Sequence, residues 1–238
     1  MSFSEEAINI ATALGNGIYS VGEDIVLGAE RTGEGWGLGK DGRSAEIGYE
    51  NSAMKNILID FARTSISDER NPLYKCIYNI LEEYYSKFPE EILQQLASKA
   101  GVGAGYMAGR MLIGQKLAKT IALKICTVIA TTTAYKQMAK KLGVSAAASA
   151  TGVGIPIGLL MLQGVMQRSS HAALRLRKKC PELFSKLHVA GNLQLLYFLV
   201  EKPMHEYIST IEFANTNQAR LAKIISDTYS KKSNDNDK

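Results

Sequence analysis

From Asn51 almost to the end of the chain, apolar residues return at intervals of three and four, the spacing that lines one face of an α-helix. No set of segments alternates apolar and polar at every second position, as half-buried strands would. Asn71 precedes Pro72, which predicts a capped helix start, and Leu73, Ile77, Ile80, Leu81 and Tyr84 form the stripe that this helix buries. Pro89 opens the next helix, where Glu90 and Glu91 suit the positive end of the helix dipole. Pro181 restarts the chain before "LFSKLHVAGNLQLLYFLV", and Pro203 restarts it before "HEYISTIEFANTNQARLAKIISDTY". The pattern predicts an all-α helical bundle.

Outside this region the pattern weakens. Residues 3–27 can be helical, although Gly15, Gly17 and Gly22 each disfavour it by about 1 kcal/mol relative to alanine. Residues 28–48 carry seven glycines and read as a flexible segment, with the only tryptophan, Trp36, as an aromatic anchor packed onto the body. Gly39-Lys40 ends no phosphate loop, because Glu34 stands at the first glycine position and Asp41 at the magnesium-binding hydroxyl. Three regions are therefore expected: 1–50, an N-terminal helix and glycine-rich segment; 51–229, the helical domain; and 230–238, a polar disordered tail.

The stretch "GVGAGYMAGRMLIG", 101–114, raises a sharper question. Gly103 to Ala108 match the letters of a dinucleotide fingerprint, but that turn works only after a β-strand, and the preceding "PEEILQQLASKA" reads as helix. Ala97, Gly101, Gly105 and Gly109 recur every four residues, a ladder of small residues that would let a second backbone approach one helical face. Met107, Met111, Gly114, Ala118, Ile121, Ile125, Val128 and Thr132 continue it as a narrow apolar seam. Arg110, Lys116, Lys119 and Lys124 fall on the other side. Residues 101–135 are thus expected to form one long amphipathic helix.

Residues 142–167, "LGVSAAASATGVGIPIGLLMLQGVMQ", contain no charge over 26 positions. About 20 apolar residues suffice to cross a bilayer as a helix. Ala146, Ala150, Gly154 and Gly158 again step by four, and Pro156 interrupts the helix beyond "TGVG". A hairpin with its tip at 151–155 and arms at 121–150 and 156–166 keeps the tip uncharged, although Lys124, Lys136, Lys140 and Lys141 limit how much of the first arm can be buried. Leu160 lies near the middle of the second arm. Arg168, Arg175, Arg177, Lys178 and Lys179 follow it and suit anionic lipid headgroups. The same composition also fits a hairpin buried at the centre of a soluble bundle, because close helix contacts select small residues.

Composition narrows the classes further. Lysine and arginine number 28 against 23 acidic residues, a net charge of +5 that falls short of a nucleic-acid-binding arm. Cys76, Cys126 and Cys180 are far apart in apolar helical contexts and form no metal or redox pair. His171, His188 and His205 are spaced by 17 but lack any metal-ligand spacing, and no nucleophile elbow occurs. Glu82-Glu83 reads as a solvated face. No catalytic residue, metal or cofactor is expected. Glu5 and Glu6 stand where a secretory signal would carry basic residues, so the expected chain is made in the cytoplasm and leaves by a signal-independent route.

An all-α protein that hides a glycine- and alanine-rich, uncharged hairpin over residues 97–167 resembles bacterial pore-forming toxins, the colicin pore domains and the ion-pore effectors delivered by contact-dependent secretion systems. The lysine-bearing first arm and the short apolar arms depart from the colicin pattern. The resemblance implies an antibacterial toxin that dissipates ion gradients across an anionic target membrane, a cognate immunity protein and a secretion-system carrier. The other reading is a non-catalytic helical adaptor or structural protein whose glycine faces are permanent helix contacts.

Overall fold

The computed structural model describes residues 44–102, 109–131 and 155–217, with Arg220 and Lys223. Among the described residues the fold is all-α, with eight helices and one 3₁₀ turn. In chain order these are α1 (Ser44–Arg63), α2 (Pro72–Tyr85), α3 (Glu90–Lys99), α4 (Arg110–Thr131), α5 (Ile155–Lys179), α6 (Pro181–Val189), the 3₁₀ turn (Leu193–Leu196), α7 (Tyr197–Val200) and α8 (His205–Thr216). The expected helix at 3–27, Trp36 and its glycine-rich neighbours, and the tail lie outside the described residues.

α2 is the central helix. It packs against α4, α8, α6, α1 and the 3₁₀ turn, and Leu73, Cys76, Ile77, Ile80 and Leu81 are fully buried on it. Its start is the one that the Asn-Pro pair predicts: Asn71 Oδ1 accepts from the Leu73 N–H at 2.9 Å, and Pro72 occupies the first turn. Asn71 Nδ2 also donates to the carbonyl and hydroxyl oxygens of Thr64, both at 3.2 Å, so this buried amide ties the incoming loop to the helix.

α1 begins at Ser44, earlier than the start expected near Asn51. Its buried stripe already includes Ile47 and continues through Met54, Ile57 and Phe61, so the exposed Gly48 is carried inside the helix by the burial of this stripe. The C-terminal segments are more broken than their apolar periodicity suggests. "LFSKLHVAGNLQLLYFLV" does not form one helix, because Gly191 (φ 116°) and Asn192 (φ 60°) adopt left-handed backbone and turn the chain after α6. α8 spans His205–Thr216, Arg220 and Lys223 are also helical, and the rest of the predicted run to Tyr229 lies outside the described residues.

The long helix expected over 101–135 is also corrected. α3 stops at Lys99, and Gly101 (φ 69°) reverses the chain, with Val102 N–H bonded to the Ala97 carbonyl at 2.8 Å and Gly101 N–H to Ser98 at 3.1 Å. This is a glycine C-terminal cap of the Schellman kind. A new helix, α4, starts only after Gly109, whose φ of 114° suits glycine. α4 then buries two adjacent rows, Ile113-Leu117-Ile121-Ile125-Ile129 and Gly114-Ala118-Ala122-Cys126, a wider face than the predicted seam. It packs against both α2 and α3, so both rows find partners.

Candidate functional site

The small-residue positions proposed for packing or insertion divide three ways. Gly105, Ala146, Ala150 and Gly154 lie outside the described residues. Gly101 and Gly109 do not form a helix-packing ladder with Ala97: they sit in turns, and a Cβ placed on either would meet nothing within 4 Å. Their glycines serve backbone conformation instead. The close approach occurs one turn into α4, at Gly114, where an added Cβ would lie 3.5 Å from Tyr85 Cβ and 3.8 Å from Leu93 Cδ1. Pro156, Gly158 and Leu160 lie in the first turns of α5. Pro156 is the second residue of that helix, a place that tolerates its missing N–H, and the residues before Ile155 lie outside the described residues. α5 does not end near Met166 but continues to Lys179.

The basic residues assigned to lipid headgroups lie on α5, and the bundle engages several of them. Arg175 makes a two-pronged ion pair with Glu201, Nε and Nη2 at 2.8 and 2.6 Å from the carboxylate. Lys179 Nζ is 3.5 Å from Glu212 and 3.3 Å from the Ser209 hydroxyl. The Arg177 guanidinium lies 5.8 Å from the centre of the Phe184 ring. Arg168 is half-buried, whereas Lys178 is exposed. Arg177, Lys178 and Lys179 also form the last turn of α5, where cations oppose the negative end of the helix dipole.

A cleft of about 430 Å³ opens where the end of α2, the start of α4 and α6 meet. Met111, expected in the buried seam, is 71% exposed on its rim, because α2 ends at Tyr85 beside Gly114 and offers no further turn for it to pack against. Arg110 donates to the Ser86 carbonyl at the C-terminus of α2, a placement the helix dipole favours. On the inner wall, Lys186 Nζ lies 2.9 Å from Glu82 Oε2 and 3.2 Å from Glu83 Oε2, and Lys87 Nζ lies 2.7 Å from Glu83 Oε1. Tyr78 Oη and Gln115 Nε2 donate to Glu82 Oε1 at 3.0 and 2.9 Å.

Burial by itself would raise both carboxyls. For Glu82 the hydrogen bond and charge of Lys186, with Gln115 and Tyr78, outweigh it and hold the group below its ordinary value. For Glu83 the bonds and charges of Lys87 and Lys186 do the same. This charge-balanced network ties α2 to α4 and α6. The paired glutamates are therefore not the solvated face expected of them. Lys186 lies about a hundred positions away in sequence, and no local pattern announces that contact.

The remaining candidates for chemistry are dispersed. The three cysteines are free and buried; burial pushes the Cys76 and Cys126 thiols up to about 12, and raises Cys180 as well. His171 pairs with Gln167 at 3.1 Å, His188 with Gln194 at 3.1 Å, and His205 with Ser209 at 3.4 Å. Among the described residues no three His, Cys, Asp or Glu side chains are placed to hold a metal ion. No single described helix is long and apolar enough to cross a membrane. Pro181–Val189 and Leu193–Val200 together reach the required length and composition, but with a bend of 113° between them, and Leu183, Leu187, Leu195, Leu196 and Val200 are buried in the core. The chain matches no known protein family, no curated protein and no solved structure.

Proposed function

We propose that this protein is a membrane-active, pore-forming antibacterial effector that dissipates ion gradients across an anionic target membrane. The observation that carries the reading is the charge-free stretch 142–167, which leads into a helix held at its far end by ion pairs. Residues 155–167 of α5 carry no charge, and its second half is bound through Arg175–Glu201 to the residue that ends α7 and through Lys179–Glu212 to α8. Thirteen helical residues reach about 20 Å, short of the roughly 30 Å hydrocarbon core. Insertion in this reading is therefore a re-entrant hairpin with its tip at 151–155 and the uncharged end of the first arm, 142–150, as its other limb, and helices associate through Ala146, Ala150, Gly154 and Gly158. Lys178, exposed at the end of α5, meets headgroups first, and Arg168, Arg175, Arg177 and Lys179 follow only as the bundle loosens. A cognate immunity protein and a secretion-system carrier are the partners of this reading.

A second reading has one observation in its favour. Met111 and Leu112, 71% and 52% exposed at the start of α4, place adjacent apolar side chains at the surface beside the cleft. A helical adaptor would use them to hold another protein.

Leakage of dye or ions from anionic liposomes, at neutral and mildly acidic pH, separates the two. Rapid leakage at a low protein-to-lipid ratio, lost in a folded Leu160→Asp variant, is the expected result. Retained leakage in that variant removes 155–166 as the inserting segment. No leakage under any condition leaves the adaptor reading.

A further inference from the structure

Opposite its two buried rows, α4 leaves a face to solvent. Leu112, Lys116, Lys119 and Leu123 fall on it within about 60° of arc, spread over about 16 Å of helix. Leu112 and Leu123 are 52% and 42% exposed, and Met111, 71% exposed, stands beside Leu112 in the first turn. α4 carries four cations, Arg110, Lys116, Lys119 and Lys124, and no acidic residue. Two exposed leucines with two lysines between them call for a cover that takes apolar side chains and positive charge together.

The bundle holds these two lysines loosely. Among the described residues Lys116 has no ion-pair partner. Lys119 Nζ lies 2.7 Å from Glu69, but both side chains are more than half exposed, so another anion can take the lysine at little cost. Lys124 and Arg110 lie to the side of the row and donate to the carbonyls of Ala100 and Ser86. A protein partner is disfavoured here, because lysines at the centre of an interface must be stripped of water. A second copy would set lysine against lysine. A lipid surface asks for neither: leucine and methionine enter the acyl boundary, while the lysine stems lie along it and keep their ammonium groups among hydrated phosphates.

We propose that the outer face of α4 is a docking surface for anionic lipid bilayers. Leu112, Leu123 and Met111 enter the headgroup boundary, and Lys116 and Lys119 meet the phosphates. This surface is separate from the cations of α5, because α4 packs on α2 and α3, whereas α5 packs on α1, α6, α7 and the 3₁₀ turn. Like the exposed Lys178 it is available on the closed bundle, and unlike Lys178 it adds apolar anchorage. Docking here rests on the proposed function for its anionic membrane and is independent of the pore.

Co-sedimentation of the full chain with vesicles of phosphatidylglycerol and phosphatidylcholine, against phosphatidylcholine alone, tests the surface, with dye leakage read in parallel. The expected result is binding to the anionic vesicles that weakens as salt is raised. Lys116→Gln/Lys119→Gln should lower the partition coefficient about thirtyfold, and Leu112→Gln/Leu123→Gln about tenfold. Lys202→Gln/Lys223→Gln removes the same charge from exposed lysines elsewhere and should have a much smaller effect. All these positions are exposed, circular dichroism verifies the fold, and either α4 variant suffices if the other fails to fold. Binding without leakage supports the docking surface and removes only the pore. No binding to anionic vesicles overturns the proposal and leaves the face to a protein partner. Binding that neither α4 variant weakens also overturns it. So does binding that Lys202→Gln/Lys223→Gln weakens equally, because net charge alone is then responsible. Self-association without lipid, abolished by Leu112→Gln/Leu123→Gln, overturns it in favour of a second copy.

Discussion

The Lys186 ammonium lies 2.9 Å from the Glu82 carboxylate, across the junction of α2 and α6, and 3.2 Å from Glu83. All three side chains are mostly shielded from water, so losing the lysine leaves two adjacent carboxylates without their shared counter-ion, and Lys87 reaches only Glu83. Lys186→Met should lower unfolding stability by about 2 kcal/mol at neutral pH, measured by urea denaturation. An unchanged midpoint would show that the network contributes nothing net.

The same network sets the acid limb of stability. Glu82 and Glu83 titrate below their ordinary value in the folded state, so the unfolded chain takes up their protons first as the pH falls. Their contribution is fully present above the ordinary carboxyl value and is lost as the pH drops through the folded values. Urea midpoints should therefore fall steeply below about pH 5 in the unmodified chain and less steeply in Lys186→Met. Parallel acid limbs in the two proteins would contradict this assignment.

Two glycines that look alike in sequence should respond oppositely to alanine. Gly101 has a φ of 69°, which an L-residue adopts at a cost, so Gly101→Ala should destabilise by about 1 kcal/mol. Gly114 is inside α4 with room for one methyl group at ordinary contact distance, so Gly114→Ala should stabilise by about 0.5–1 kcal/mol through helix propensity. Gly114→Leu should destabilise by about 1–3 kcal/mol, because the added atoms would enter Tyr85 and Leu93. Thermal melts of the three variants give the comparison, and a destabilised Gly114→Ala would refute the contact geometry.

Asn71 is fully buried and makes three side-chain hydrogen bonds, one capping α2 and two to Thr64. Asn71→Ala should cost about 2 kcal/mol, more than an exposed cap does, because the Thr64 carbonyl loses a partner as well. A loss no larger than that of a surface substitution, read from denaturant midpoints, would count against the buried arrangement.

The buried thiols supply an alkaline test. Cys76 and Cys126 have thiols raised to about 12, so the folded state holds their protons when the unfolded state has released them. That contribution is complete below the ordinary thiol value near 9.0 and is lost as the pH rises towards 12. At neutral pH a thiol reagent should label both at the rate of structural opening and not at the rate of a free thiol. Immediate labelling of either residue would place it at the surface.

Much of the helical framework is local and was legible in the sequence. Asn71 and Pro72 specify where α2 starts through a side-chain acceptor and a preset φ, and the apolar stripe on that helix follows from a period of 3.6 residues. Pro89 and Pro181 mark helix starts for the same steric reason. Glycine spacing was the misleading signal. Ala97, Gly101 and Gly109 recur as a ladder on paper, yet two of the three serve left-handed turns, because the period of a glycine does not reveal its φ.

Tertiary structure decided the rest. Whether Met111 is buried depends on where α2 ends, a fact held in residues some 25 positions away. Whether Glu82 is solvated depends on Lys186, which only the folding of α6 onto α2 brings near. Gln194 stands out in the sequence as the one polar residue of "NLQLLYFLV" after its opening asparagine, but only the packing of α1 and α6 shows that one of its two polar atoms goes unpaired. Local sterics and hydrophobic period set the elements; desolvation and ion pairing between distant helices set which polar groups are held, and those contacts have no local signature.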